Sequence, residues 1–207
     1  MDHIAQIKQL REQVPVGLRH AGILLEKTGG DIITAKQLFI QEIQAVALSK
    51  TNAPAEIVLP LLERYQYDIP RTLAALEEVL YSITERALRK IKRNHEAAID
   101  KVATIIEIAT PLQRNFWLPL DTMKLPNVYQ QTFMTIHEWL SYEAYEDFDY
   151  ALYFYRELVS NTIRDTLACP EVAAAIRDGD RNAFRRHRAT LIEQLYNLVV
   201  NNISYFP

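Results

Sequence analysis

The chain has 207 residues, five glycines, one cysteine and a formal charge of −3. That length suits one domain or two small ones and is enough to bury a core. Glycine is absent from Asp31 to Asp178, so that stretch holds no glycine-rich phosphate loop, dinucleotide fingerprint or nucleophile elbow. A hairpin-rich β fold is disfavoured too, because its turns need residues with positive φ.

The single Cys169 cannot form an intrachain disulfide, so nothing asks for an oxidising compartment. The opening Met1-Asp2-His3-Ile4 is polar and lacks a signal-peptide apolar stretch. No run of about 18 apolar residues is present, so no membrane span is expected. A cytoplasmic location is the expectation. Charge is uneven: residues 111–176 carry 4 basic and 9 acidic side chains, and residues 177–207 carry 5 and 3. No segment is basic enough for a general nucleic-acid binder. No cofactor is expected.

Helical periodicity dominates in chain order. Ile4, Ile7 and Leu10 space as one helical face. After Pro15 and Gly17, a short helix carries Leu18, Leu24 and Leu25 and is closed by Gly29-Gly30. Asp31 then caps a third helix over about 32–49, with Ala35, Phe39, Ile43 and Val46 as its stripe. Pro54 suits the first turn of a fourth helix. Pro60 either kinks it or begins it, because an interior proline costs roughly 3 kcal/mol. Asp68-Ile69-Pro70 is a further cap-plus-proline signal.

From Ile69 to about Thr110 there is no helix breaker. Ile69, Leu73, Leu76, Leu80, Ile83 and Ala87 recur in steps of 4 and 3. The stripe fades through the polar stretch Arg89–Glu96 and resumes at Ile99, Val102, Ile105 and Ile106. A continuous helix over 71–110 would form a rod of roughly 60 Å; the alternative is a break near Asn94. Pro111, Pro119 and Pro126 bracket an irregular connector. Helices are then expected over about 128–143 and 146–167, a short one after Pro170, and a last one over about 180–202 with Phe184, Leu191, Leu195 and Leu198 on its apolar face. The class is all-α.

The first eighty residues hold an internal repeat. Leu24-Leu25-Glu26-Lys27-Thr28-Gly29-Gly30-Asp31-Ile32 aligns without a gap on Leu61-Leu62-Glu63-Arg64-Tyr65-Gln66-Tyr67-Asp68-Ile69, a shift of 37. Ile4, Ile7 and Leu10 map onto Ile40, Ile43 and Val46 with a shift of 36. The third helix of one unit can thus serve as the first of the next, as in repeats that bury a continuous core.

Ile7-Lys8-Gln9-Leu10-Arg11-Glu12, then Gly17, then Leu24-Leu25-Glu26, then Gly30-Asp31-Ile32 and Ala35, resembles the small three-helix ubiquitin-associated type of domain that opens bacterial elongation factor Ts. The resemblance covers residues 3–42. It implies tandem units of that kind and a protein-binding role through the first loop, around Val16, Gly17 and Leu18. By the same resemblance a translation-related partner is expected. The loop reads Val14-Pro15-Val16-Gly17 where that family carries Thr-Gly-Ala-Gly, and Arg19-His20-Ala21 replaces Met-Asp-Cys.

Chemistry is sparse. None of His3, His20, His95, His137 or His187 has Asp, Glu, His or Cys three or four positions away, which removes the local helical metal motifs. Glu143, Glu146, Asp147 and Asp149 cluster; they either hold a cation or basic partner or form a solvated corner with Asp147 as a cap. Cys169 precedes Pro170 near a helix start, where a thiol pKa is lowered, but no His stands by as base, and an inert thiol is the alternative. Trp139, Tyr142, Tyr145, Phe148, Tyr150, Tyr153, Phe154 and Tyr155 cannot share one helical face. They either fill a core or line a groove or interface, for which tyrosine is suited. Arg177, Arg181, Arg185 and Arg188 recur at helical spacing. They form an anion-binding stripe or a solvated face paired with the acidic corner.

The combined expectation is a non-enzymatic, all-α protein: a tandem module over 1–70, a connecting helix over 71–110 and an aromatic helical bundle over 111–207. Its expected work is binding another protein through Val16, Gly17 and Leu18 and through Trp139, Tyr142, Tyr145, Tyr150 and Tyr153. The competing reading is a small-molecule or nucleic-acid binder using Arg181, Arg185 and Arg188 with the tyrosines. An enzyme of dispersed residues and a homo-oligomer joined through the Ile69–Ala87 stripe are further alternatives.

Overall fold

A computed structural model describes residues 3–207; Met1 and Asp2, the start of the polar N-terminal stretch, lie outside the described residues. Among the described residues there are twelve α-helices and no strand, so the class is all-α. The chain divides into two compact units after Leu80.

The first unit contains α1 (His3–Gln13), α2 (Leu18–Lys27), α3 (Ile32–Ser49), α4 (Ala55–Arg64) and α5 (Ile69–Leu80). The fourth helix begins at Ala55 and runs through Pro60. The repeat is realised in three dimensions. Leu10, Val16, Leu24, Leu25 and Phe39 centre one core, while Ala47, Val58, Leu62 and Leu76 centre a second. Ile43 and Tyr67 pack against both, and α3 is shared. The shift of 37 holds throughout: Leu10 and Ala47, Ala21 and Val58, Leu25 and Leu62, Ala35 and Thr72, and Phe39 and Leu76 are all buried. The shift of 36 expected upstream is therefore corrected to 37, and exposed Val46 gives way to Ala47.

The two corners match bond for bond. At the first, Thr28, Gly29, Gly30 and Asp31 donate their N–H to Leu24, Glu26, Leu25 and Thr28 carbonyls. At the second, Tyr65, Gln66, Tyr67 and Asp68 donate to Leu61, Glu63, Leu62 and Tyr65. Asp31 accepts from Ile33 N at 3.1 Å, and Asp68 from Arg71 N at 3.0 Å, as helix caps do. The corners differ in cost. Gly29 and Gly30 supply left-handed backbone (φ 63° and 87°), whereas Gln66 and Tyr67 adopt it at 53° and 64°, at about 1 kcal/mol or more for each side chain. Tyr67 compensates by packing on both cores and edge-on against Phe39.

The expected rod over 71–110 is instead the end of α5 followed by α6 (Ile83–Lys90) and α7 (His95–Ala109). Capping overrides the apolar stripe. Ser82 Oγ accepts from Glu85 N at 3.2 Å while Glu85 Oε2 accepts from Ser82 N at 2.8 Å, a reciprocal capping box. Arg93 turns at φ 67°, and Asn94 Oδ1 then accepts from Ala97 N at 3.0 Å. The first module therefore extends past residue 70, because α5 carries Leu76 into its core. Of the Ile69–Ala87 stripe, Ile69, Leu73, Leu76 and Leu80 pack within the first unit, whereas Ile83 is exposed.

The second unit continues with α8 (Val128–Glu146), α9 (Phe148–Ala151), α10 (Arg156–Thr166), α11 (Pro170–Asp178) and α12 (Arg181–Asn201). The helix expected over 146–167 is two helices separated by a corner. Asp147 ends α8 at φ 104° and starts α9 by accepting from Asp149 N and Tyr150 N at 2.9 and 3.3 Å. Tyr155 makes the next turn at φ 51°. The core joins α7, α8, α10, α11 and α12 with Leu118, Leu120 and Met123 of the connector. Trp139, Phe148 and Phe184 form its aromatic centre, with ring centroids 5.0 to 6.3 Å apart. The buried indole of Trp139 donates to the Ala151 carbonyl at 3.0 Å, so its one polar atom is satisfied.

Candidate functional site

Helix α8 sorts its aromatic residues by face. Trp139 points into the core. Tyr145 is exposed and Tyr142 is half-buried at the edge of the core; they meet Phe116 and Trp117 of the connector and Phe154 of the α9–α10 corner. Tyr142 stacks on Phe154 at 4.4 Å and 11°. Trp117 lies 4.9 Å from Tyr142, 5.9 Å from Tyr145 and 5.3 Å from Phe116. Phe116 and Tyr145 are 66% and 68% exposed. Five rings thus form one continuous aromatic ridge, with Phe116 and Tyr145 its most exposed members.

The ridge rests on a built foundation. Glu138 is buried, and its Oε1 accepts from Arg114 Nη1 at 2.7 Å and from Leu118 N at 2.8 Å. Its Oε2 accepts from Arg114 Nη2 at 2.9 Å, and Arg114 also binds Glu107. Burial opposes the Arg114 charge, but Glu138 and then Glu107 outweigh it and raise the guanidinium pKa above its ordinary value. This two-pronged pair ties the connector to α8 on either side of Phe116 and Trp117. Tyr155 donates to Asp121 at 2.9 Å, and burial followed by Asp121 raises its phenol pKa.

The acidic corner and the arginine stripe meet largely as charge partners. Arg181 pairs with Asp147 at 3.4 Å and also with Asp149. Arg188 reaches Glu96 at 2.9 Å and Glu143 at 3.4 Å. Arg185 is exposed. The Arg188 pairs latch α7, α8 and α12 around a cleft of about 270 Å³, where His137 Nε2 lies 3.0 Å from Asp100. The hydrogen bond to His137 holds the Asp100 carboxyl below its ordinary pKa. A second cleft of about 560 Å³ is lined by Asp149, Tyr150, Leu152, Tyr153 and Arg156. Tyr150 and Tyr153 are exposed there and stand apart from the five-ring ridge.

The expected partner loop is only partly at the surface. Val16 is 3% exposed and belongs to the first core, Gly17 precedes α2, and Leu18 is 61% exposed. Cys169 is buried, and burial followed by Glu171 pushes its thiol pKa up, so the helix-start argument for a reactive thiolate is overturned. Among the described residues no group of three or more His, Cys, Asp or Glu is placed to hold a metal ion. None of their helices is long and apolar enough to cross a membrane. Sequence reasoning missed Phe116, Trp117, Arg114 and Glu138. The available signal was an aromatic pair between prolines, in a connector too short in periodicity to be read as a helix.

Residues 82–182 match the family described as the YfbN C-terminal domain. That segment opens just after the division between the two units and contains the whole ridge. The chain is also similar to the uncharacterized protein YfbN of Escherichia coli (strain K12), at 33% identity over 154 residues. The similarity covers 74% of this chain and 64% of that protein, so the match spans less than two thirds of the curated relative. No solved structure matches the chain. No ubiquitin-associated or elongation factor Ts type domain is indicated. The resemblance read in residues 3–42, with the translation-related partner it implied, is corrected accordingly: the three-helix packing is present, and what the chain is similar to is YfbN.

Proposed function

We propose that the chain is a protein-binding module whose working surface is the aromatic ridge of Phe116, Trp117, Tyr142, Tyr145 and Phe154. One observation carries the reading: five rings contact one another at the surface, with two of them about two-thirds exposed. Aromatic side chains present a large contact area at low entropic cost and dominate interface energetics. The Arg114–Glu138 pair holds the ridge in place before any partner arrives, which lowers the ordering cost of binding.

The competing anion-binding reading has less support. Arg181 and Arg188, two of the three arginines it needs, already have carboxylate partners. The test is affinity capture with the full chain and with the Phe116→Ala/Tyr145→Ala variant. Protein ligands retained by the former and lost by the latter, with the folding midpoint unchanged, support the ridge. Equal capture by both sinks it.

A further inference from the structure

The chemistry around the ridge says what kind of partner segment it suits. This inference rests on the ridge being the binding surface. Residues 111–176 carry 4 basic and 9 acidic side chains, and the ridge lies within that acidic stretch. Helix α8 ends at the ridge, and its last turn has no basic residue. It holds Glu143 and Glu146 instead, followed at once by Asp147. A helix C-terminus is a partial negative charge, so carboxylates there are unfavourable and cations favourable. Two of the three carboxylates are neutralised within the protein, Glu143 by Arg188 and Asp147 by Arg181. Glu146 is exposed and has no ion pair among the described residues. It stands one helical turn beyond Tyr142 on the same face and directly after Tyr145.

We propose that the ridge binds a cationic segment of a partner protein, with arginine or lysine side chains laid over Phe116, Trp117 and Tyr145 and held by Glu146 and the negative end of α8. Ring faces attract guanidinium and ammonium groups, arginine most often. A carboxylate beside such a ring supplies the counter-charge. Nucleic acid is disfavoured there, because its phosphates would meet Glu146 and the negative end of α8. An uncharged apolar segment would bury the rings but leave Glu146 and the helix end uncompensated.

The probe is a synthetic peptide of five Arg-Gly repeats, compared with five Glu-Gly repeats, titrated into the full chain at low salt and followed by tryptophan emission. Trp139 is buried and lies outside the ridge, so a change in emission reports on Trp117. The expected result is saturable binding of the arginine peptide, no binding of the glutamate peptide, and weakening with added salt. The Glu146→Lys variant is expected to bind roughly tenfold more weakly, since a lost cation–π or ion contact is of that order. Its folding midpoint is expected to hold or rise, because it places a cation at a helix C-terminus. Equal binding of both peptides, no binding of the arginine peptide, or unchanged affinity in Glu146→Lys overturns the cationic partner. If the ridge variant Phe116→Ala/Tyr145→Ala still loses its captured ligands in that case, the ridge stands as a binding surface and only the charge assignment falls.

Discussion

The two sides of α8 use the same residue types for opposite ends. On the inner side, Trp139 meets Phe148 and Phe184 and gives its indole hydrogen to Ala151. On the outer side, Tyr142 and Tyr145 meet Phe116, Trp117 and Phe154 and remain in contact with water. The inner rings are enclosed by helices on every side. The outer rings have a floor and no lid. Ring clustering alone therefore does not distinguish a core from a surface; enclosure by other elements does.

That contrast predicts unequal consequences for similar truncations. Trp139→Ala is expected to cost about 3–5 kcal/mol, the usual range for removing a buried large aromatic, read as a lower denaturant midpoint for the second unit. Removing Glu138 strikes the boundary between the two sides. Glu138→Ala leaves the Leu118 N–H without its acceptor and Arg114 with Glu107 as its remaining carboxylate partner, at a cost of about 2 kcal/mol for hydrogen bonds to a charged group. It is also expected to speed amide exchange in the connector around Phe116.

The first unit offers a smaller version of the same lesson, since residue type and position can disagree there too. Gln66 occupies the backbone geometry that Gly29 occupies 37 residues earlier. Gln66→Gly is expected to stabilise the chain by about 0.5–1 kcal/mol, the left-handed strain relieved outweighing the added freedom of the unfolded chain. Gly29→Ala is expected to move thermal stability the other way. On the ridge itself, Tyr145→Ala should change stability by less than about 0.5 kcal/mol, as for other exposed positions. A loss comparable to that of Trp139→Ala would make the ridge a core instead.

The smallest effect concerns pH. The hydrogen bond to His137 lowers the folded-state pKa of Asp100. Such a carboxylate contributes stability above its unfolded pKa of about 3.9, and the contribution is lost as pH falls through the lower folded value. His137→Phe is expected to flatten that part of the acid limb in a pH–stability profile, and only slightly, because Asp100 is largely exposed.

Much of the helical pattern was legible because it is local. Asp31 and Asp68 as caps, the glycine corner after α2 and Pro170 at the start of α11 all appear in the structure where the residues place them. The repeat was visible at its corners, but its true register emerged only from burial, with Ala47 rather than Val46 facing the core. The long-helix expectation failed at Ser82, where an apolar stripe at helical spacing continues across a cap that starts a new helix; the second break, at Asn94, falls in the polar stretch where the stripe fades and where the alternative put it. The ridge was half legible. Tyr142 and Tyr145 stood out, yet their partners Phe116 and Trp117 lie in a segment without periodicity. The Arg114–Glu138 pair, spanning 24 residues, and the Leu118 N–H on the same carboxylate set them beside α8.

The most direct test sets stability and binding side by side in one variant. For Phe116→Ala/Tyr145→Ala in the full chain, denaturant midpoint and capture of protein ligands are measured together. The expected result is a midpoint close to that of the unaltered protein with the captured ligands gone. Ligand capture indistinguishable from the unaltered protein, or a collapse of the midpoint, would contradict it.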